Sequence, residues 1–508
     1  MLDSQGCVWY NILNFTTADY SGRMEIIMKK KQPVSAVSLA IALLLTACSA
    51  DGNNTPTQTS SEQTTSEVVV TTSYLDTLVT QSYEGMKFTM LGPFHSARQT
   101  FAEDTENGEP VNDALYRRDR EIEELFGIEI ITILSQDPTA DASKAAMASD
   151  DEYQVVIGAM AGTQKSLALK QLSSNLFDFP RLDLYKPWWC EQAVENLTYD
   201  GKVFFTTGPI TPQFYFGAQV MAYNTRLADN YKLEDIRTYA LDGNWTLDKL
   251  EKILKDKGND LDGDGNMTGD DSYGMVFESS VGANAFYVGA DQKYCRNDGN
   301  NLTVELASDK SISLIERLSA MLTDTVNVYD TYTAPEDINH FVTMFTEGRA
   351  LFATSSMSHV IVSFREMDDD YVLIPLPKLD ENQTEYHTYS NPWCLGGVSV
   401  PITVKDKEAV GTILETMAYL SWKYVRPAQY DLTLKGKVAR EPDEIQAKLL
   451  DIIFDCSYYD LNGIFNFGKS VDLVQKAIVG QSTGFVSGFE SIKNNVQNDI
   501  DTFKKAVE

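Results

Sequence analysis

Hydrophobic and polar positions along the chain fall into alternating strand-like and helix-like blocks. "MKFTMLG", Met86 to Gly92, alternates with a period of two and predicts a strand. A helix follows that Asn112 can cap and Gly127 can end, with Leu115, Ile122, Leu125 and Phe126 on one face. "IEIITIL", from Ile128, and "YQVVIGAM", Tyr153 to Met160, predict buried strands, because β-branched side chains suit a covered pleated surface. Strand, helix, strand, helix, strand predicts a parallel α/β lobe.

Farther along, "DGKVFFTTGPI" predicts a turn and strand, and "FYFGAQVMAYNTRLA" a second strand ending at Tyr223 and Asn224. "NWTLDKLEKILKD" has the spacing of an amphipathic helix capped by Thr246, with Leu247, Leu250, Ile253 and Leu254 facing inward. "FTEGRALFATSS" and "YVLIPLPK" predict short strands preceded by turns, and helical periodicity dominates from about Glu408. No short fixed-period repeat is present, which argues against a solenoid or propeller.

Composition sharpens this picture. The body from about residue 84 to 508 is too long for one small core, and the chain is 43% hydrophobic, so two lobes are expected. A net charge of -31 disfavours nucleic acid and anionic lipid, since both would be repelled. Cys190, Cys295, Cys394 and Cys456 are widely spaced with no C-x-x-C pair, so zinc is not expected. One or two disulfides and free buried thiols both remain open readings.

The N-terminal region has a different character. "MKKKQ", Met28 to Gln32, precedes an apolar run from Val34 to Leu45 and then small residues before Cys48, the layout of a secretory signal. The run is shorter than the roughly 20 residues of a membrane span. Leu45-Thr46-Ala47-Cys48 resembles the bacterial lipobox, in which the cysteine becomes the lipid-carrying N-terminus. Residues 28–47 are then a signal peptide, and residues 1–27 are expected to reflect a start assigned too early. Residues 48–83, rich in Ser, Thr, Asn and Gln, predict a flexible linker. About 30 such residues would hold a folded body about 30 Å from its anchor.

The order of lipobox, Ser/Thr-rich linker, "GKVFFTTGPI", "VMAYNTRLA", "NWTLDKLEKIL", "FTEGRALFA", "IPLPK" and a late "GGVSVP" resembles extracellular solute-binding proteins of family 1. These are sugar-binding lipoproteins of ABC importers, in the branch that includes maltose-binding protein. The resemblance spans roughly residues 84–508. It implies a two-lobed α/β fold of the type 2 periplasmic-binding-protein kind, with crossing hinge strands and a ligand cleft between the lobes. The first lobe would be 84–212 and the second 213–375. Residues 376–508 would return to the first lobe, with C-terminal helices packed across both.

What it implies for function is a monomeric, lipid-anchored binding protein at the outer face of the bacterial cytoplasmic membrane. It would capture an oligosaccharide or related carbohydrate by lobe closure and deliver it to the membrane permease. No organic cofactor and no catalytic residue are expected. The alternatives are a peptide-binding or glycan-sensing surface lipoprotein and, behind these, a surface glycoside hydrolase, which would need only two carboxylates flanking a cleft.

Other chemistry fits less well. Gly480-Gln481-Ser482-Thr483-Gly484 matches the G-x-S-x-G elbow, but "VDLVQKAIVG" before it has helical spacing where the elbow needs a strand. His95, His340, His359 and His387 form no H-E-x-x-H pair. "DLDGDGNMTGDD", by contrast, follows the D-x-D-x-D-G calcium-loop pattern. Asp260, Asp262 and Asp264 would supply carboxylates, Gly265 the sharp turn, Asn266 its carbonyl, and Thr268 and Asp271 the remaining ligands of a structural Ca2+. A solvated acidic turn is the alternative.

A sugar site needs aromatic platforms and a few polar groups in a cleft. The family geometry places that cleft at strand ends and crossings. There the candidates are Phe94, His95, Thr163, Tyr215, Phe216, Asn284, Phe286, Ser356 and Trp393, the aromatics for stacking and the others for hydrogen bonds. For each aromatic, core packing is the competing role. Trp188 and Trp189 precede a core-like helix and are left outside the site.

Overall fold

The computed structural model describes residues 74–334, 337–434, 444–482 and 484–508. The signal, the lipobox with Cys48 and the linker up to residue 73 lie outside the described residues. The described residues begin before the expected boundary at 84. Tyr74–Leu78 is helical, and the Ser82 hydroxyl and Tyr83 amide both donate to the Phe126 carbonyl. The Tyr83 ring lies 5.7 Å from that of Phe126, so an apolar residue near the end of the linker already belongs to the folded body.

In chain order the strands are β1 (Lys87–Pro93), β2 (Glu129–Ser135), β3 (Val155–Ala159), β4 (Gln219–Asn224), β5 (Tyr273–Phe277), β6 (Arg296–Asn297), β7 (Leu302–Thr303), β8 (Val328–Asp330), β9 (Ala350–Ser356), β10 (Tyr371–Ile374), β11 (Thr388–Tyr389), β12 (Gly396–Ser399) and β13 (Ser457–Tyr458). Two sheets organise them, one in the order β12-β3-β1-β2 and one in the order β10-β4-β9-β5-β8. In the first, β1 pairs parallel with β2 and β3, while β12 runs antiparallel to β3. In the second, β9, β5 and β8 are parallel, and β4 runs antiparallel between β9 and β10. A late strand thus returns to the early sheet.

Strand position explains burial better than local pattern does. Central β1 is covered on both faces after Lys87, so its polar Thr89 is buried as well. The β-branched run of β2 sits at the sheet edge and stays partly exposed, whereas the sequence pattern predicts a buried strand. "GKVFFTTGPI" makes only isolated bridges, Tyr199 to Lys202 and Thr206 to Val398, instead of a strand. "QFYF", Gln213–Phe216, is a single helical turn before β4.

The helix Pro110–Phe126 starts earlier than expected. Pro110 fits the first helical position because its missing N–H has no helical partner to lose, and the Glu109 carboxylate accepts from the Asn112 amide at 2.7 Å. Asn112 is therefore inside the helix, where its side chain accepts from the Glu103 amide. Gly127 does end the helix, with φ 67°. In the helix Leu247–Leu254, Leu247, Leu250 and Leu254 are buried and Ile253 partly so.

A large apolar cluster covers the second sheet, from Met221 and Trp245 through Phe286 and Phe352 to Ile478 and Phe489. The last helix, Phe485–Val507, joins that cluster by Phe485 and Phe489. Its far end reaches the first half of the chain, where Phe503 packs on Tyr199 and Lys202 Nζ donates to the Val507 carbonyl. Trp188 and Trp189 are buried. Both indole N–H groups donate to the Glu415 carboxylate, at 2.8 and 2.9 Å, tying the segment before the helix Glu191–Leu197 to the helix Lys407–Leu420. The four cysteines of the body are free thiols.

Candidate functional site

Parallel strands gather their carboxyl ends at one edge of a sheet, and a ligand crevice forms outside that edge. In the first sheet, β1 runs into the short turn Phe94–Gln99 and β3 into the turn Met160–Gln164. Because β12 is antiparallel with Gly396 opposite Ala159, the segment 390–395 enters at the same edge. In the second sheet, β5 runs into Glu278, β8 ends at Asp330 and β9 at Ser356. Gln219 lies opposite Ser356, so 213–218 enters there too.

These two edges are joined by paired crossings. Ala218 bridges Ser390, the Asn391 amide donates to the Gly217 carbonyl at 3.0 Å, and β11 pairs with β13. The close approach needs glycine. A Cβ at Gly396 would lie 2.5 Å from Gln213 Oε1, and one at Gly397 2.7 Å from Gln164 Cγ. "GGVSVP" is thus a packing requirement of the crossing.

The two rims differ in chemistry. On the first, Phe94 is 56% exposed and Trp393 is 49% exposed. The Asn391 side chain accepts from the Trp393 amide, and the Trp393 ring lies over Gly162, where an added Cβ would come within 3.8 Å of it. A large aromatic face held by its own backbone in contact with water is a stacking platform.

On the second rim stand two carboxylates absent from the sequence-level candidates. Glu278 caps the helix Ser279–Gly289 by accepting from the Ser280 amide at 2.7 Å, and Asp330 accepts from the Ser279 amide at 3.1 Å. Both are only partly exposed. Burial pushes the Glu278 carboxyl up to about 7, and the charge of Asp330 adds to the rise. Burial also raises Asp330. On the first rim burial pushes the Cys394 thiol up to about 12, and the charge of Glu278 contributes to the rise. Their signal in the sequence was an acid directly after a buried strand and next to serine or threonine, in "MVFESS" and "VYDT".

The remaining sequence-level candidates spread over rim and core. His95 follows Phe94 on the exposed turn, with burial lowering its pKa. Thr163 is buried in the 160–164 turn, where the Thr139 hydroxyl contacts its own at 3.2 Å. Ser356 closes β9, its hydroxyl near Ser358 and 3.2 Å from His359 Nδ1. Asn284 is buried and engaged within its own lobe, accepting from the Tyr294 hydroxyl at 2.6 Å and donating to the Ser280 carbonyl. Tyr215 is 2% exposed against Phe454 and Tyr430, Phe216 is buried, and Phe286 lies fully inside the large cluster. The structure therefore packs Tyr215, Phe216 and Phe286 as core side chains.

Ser355 and His359 come within 3.1 Å, which invites comparison with a nucleophile and its base. Burial lowers His359 to about 4, and its Nε2 is buried without a partner, so no carboxylate orients the ring. A base so weak does not activate a hydroxyl at neutral pH. Ser482 lies between the helices Ser470–Ile478 and Phe485–Val507, which is not the strand-to-helix geometry of an elbow.

The aspartate loop is away from both rims, on the path between the helix Leu247–Leu254 and β5. Asp260, Asp262 and Asp264 each place a carboxylate oxygen within 4.8 Å of the others. Backbone N–H groups of Gly265 and Gly263 hold Asp260 below the usual carboxylate range. Asn266 donates its amide to Asp264, and Asp271 is buried, accepting from the Leu261 and Thr268 amides at 2.8 and 2.7 Å.

Solved structures share this architecture. A cyclo/maltodextrin-binding protein complexed with maltotetraose superimposes with a TM-score of 0.52 at 14% identity, covering 84% of this chain and 99% of that one. The chain has the fold of that two-lobed binding protein. An extracellular solute-binding protein from Staphylococcus aureus, in complex with maltose, gives a TM-score of 0.50 at 14% identity over 83% of this chain and 97% of that one. Both similarities are of fold, with the identity too low to carry individual residues across. No protein-family model matches the chain, and no curated protein matches it.

Proposed function

We propose that this chain is the substrate-binding component of an ABC importer, which captures a carbohydrate between its two rims and delivers it to a membrane permease. The observation that carries the reading is the pairing of exposed aromatics, Phe94 and Trp393, on one rim with the half-buried acids Glu278 and Asp330 on the other. Sugars offer apolar C–H faces to aromatic rings and hydroxyl donors to carboxylates. The two fold relatives carry maltotetraose and maltose in their solved forms, which supports the same ligand class.

Closure follows from the same arrangement. A ligand that touches both rims favours the state in which they are close, by as much as its affinities for the two states differ. The paired crossings at Ala218–Ser390 and β11–β13 are the natural hinge. In this reading the protein binds without chemistry, acts as a monomer, and is tethered outside the cytoplasmic membrane by lipid on Cys48. The aspartate loop would hold a divalent cation through Asp260, Asp262 and Asp264, with Asp271 bracing the loop from behind.

The test is a melting-temperature screen of sugars and peptides. A ligand specific for the folded state adds about 2.7 kcal/mol at a hundred times its Kd. A rise with an oligosaccharide supports the reading. A rise with peptides alone overturns it in favour of a peptide receptor.

A further inference from the structure

The hairpin β6–β7 belongs to the second lobe by chain order and to the first by its bonds. The helices on either side of it, Ser279–Gly289 and Asp309–Leu322, pack in the large cluster on the second sheet. Its turn reaches residues 196–200, which lead through Val203 to the bridge between Thr206 and Val398 of β12, in the first sheet. There the Asn297 side-chain amide donates to the carbonyls of Asn196 and Thr198, at 3.1 and 2.8 Å. The helix Glu191–Leu197 ends at that point, where a helix leaves its last carbonyls without internal partners. One lobe thus caps a helix of the other. The Tyr199 hydroxyl donates to the Asn300 carbonyl at 2.9 Å, and the Asp200 amide donates to the Gly299 carbonyl. The turn holds its own shape for this contact. Asn297 Oδ1 accepts from the Gly299 amide at 3.0 Å, Asp298 accepts from the Asn301 amide at 2.7 Å, and Gly299 takes a φ of 91° that side chains resist.

The base of the hairpin is fixed to the crossing. Just after β13, Asp460 accepts from the Tyr294 amide at 2.9 Å, and the Asn462 side chain donates to the Tyr294 carbonyl at 3.0 Å. The Tyr294 hydroxyl donates to Asn284 at 2.6 Å, inside the helix whose start forms the second rim. At Tyr294 the main chain is therefore held by the crossing and the ring by the rim helix.

We propose that the hairpin is a strap that moves with the first lobe, so that closure turns the second lobe about Tyr294 as well as about the paired crossings. This rests on the closure reading and deepens it. The strap ties the lobes together at a point remote from both rims, and it narrows the range of lobe angles the free protein samples.

Distances between spin labels test this before any sugar is added. Pairs of labels would be placed through Asn300→Cys on the strap, Glu124→Cys in the helix Pro110–Phe126 and Lys252→Cys in the helix Leu247–Leu254, all exposed positions, with the unsubstituted protein as background for the native thiols. The expected result is a narrow distribution from Asn300 to Glu124 and a broader one from Asn300 to Lys252. Asn297→Ala, and Tyr199→Phe, which keeps the ring that packs on Phe503, should each broaden the distributions from Glu124 to Asn300 and to Lys252, in proteins whose melting curves show them folded. A strap distance no narrower to Glu124 than to Lys252, or distributions that neither substitution alters, would overturn the inference. Maltotetraose added to the same samples should shift both distances to Lys252 and leave that from Asn300 to Glu124 fixed; a shift in the latter would overturn the strap as well. A Glu124-to-Lys252 distance that does not respond would contradict closure around that sugar, while the widths measured without it still decide the strap.

Discussion

The carboxyl-end rims of the two sheets are built from equivalent strand ends, yet one exposes aromatic rings and the other hides acids. Phe94 and Trp393 stand in solvent on turns fixed by backbone contacts, while Glu278 and Asp330 are recessed and tied to the start of one helix. Under the proposed function, the difference teaches that the two rims divide the labour of recognition. An aromatic face gains from any apolar surface laid on it. A recessed carboxylate gains only from a correctly placed donor. Affinity should therefore come mainly from the first rim and selectivity from the second.

The strongest way to sharpen that comparison is to set both rims against the core. Phe286→Ala should cost about 3 to 5 kcal/mol of stability in chemical denaturation, because it empties a fully buried site. Its ligand affinity, measured where the protein remains folded, should change little. Trp393→Ala should do the reverse, with a melting temperature near that of the wild type and sugar affinity reduced by about 2 kcal/mol, the size of a strong contact residue.

Glu278→Gln tests the second rim through pH. Folding raises this carboxyl from 4.5 to about 7, so between those values the native state holds more protons than the unfolded one. Stability then falls as pH rises through that window. Removing the charge should stabilise the protein at pH 8 by on the order of 1 to 2 kcal/mol, discounted for residual solvent contact, and have little effect at pH 4. His359 has the opposite sign, since burial lowers it to about 4 and the unfolded chain takes up protons first. Stability should drop as pH falls from 6.5 toward 4, and His359→Gln should flatten that drop in an acid melting series. The smallest effect is expected at the exposed aspartate loop. There, calcium should raise the melting temperature by a degree or two, and Asp262→Asn together with Asp264→Asn should abolish the rise.

Much of the architecture was legible in the sequence for a physical reason: strands read from β-branched and apolar runs depend on local packing, and β1, β3, β4, β9 and β10 lie where those runs are. What local pattern cannot carry is a strand's place in its sheet. The run in β2 looks buried and is an edge, because nothing nearby in sequence says which neighbours a strand will have. The same limit governs the site. Trp393 and Tyr215 both lie near crossings in the chain, but one ring points to water and the other into a nest of Phe454 and Tyr430. Glu278 and Asp330 are not legible as a pair because an acid after a strand reads as a solvated turn, and only the fold shows that two such ends meet at the start of one helix. The helix start at Pro110 is legible in the sequence, since a Glu-Pro pair before a periodic run is a start signal in itself.

The central claim is that one ligand touches both rims at once. It is tested most directly by titrating a single bound oligosaccharide into the wild type, Trp393→Ala, Asp330→Asn and the double variant. The account predicts that each single substitution weakens the same ligand at unchanged fold, and that the double loses more than either. Binding that responds to only one rim, or to neither, would contradict it.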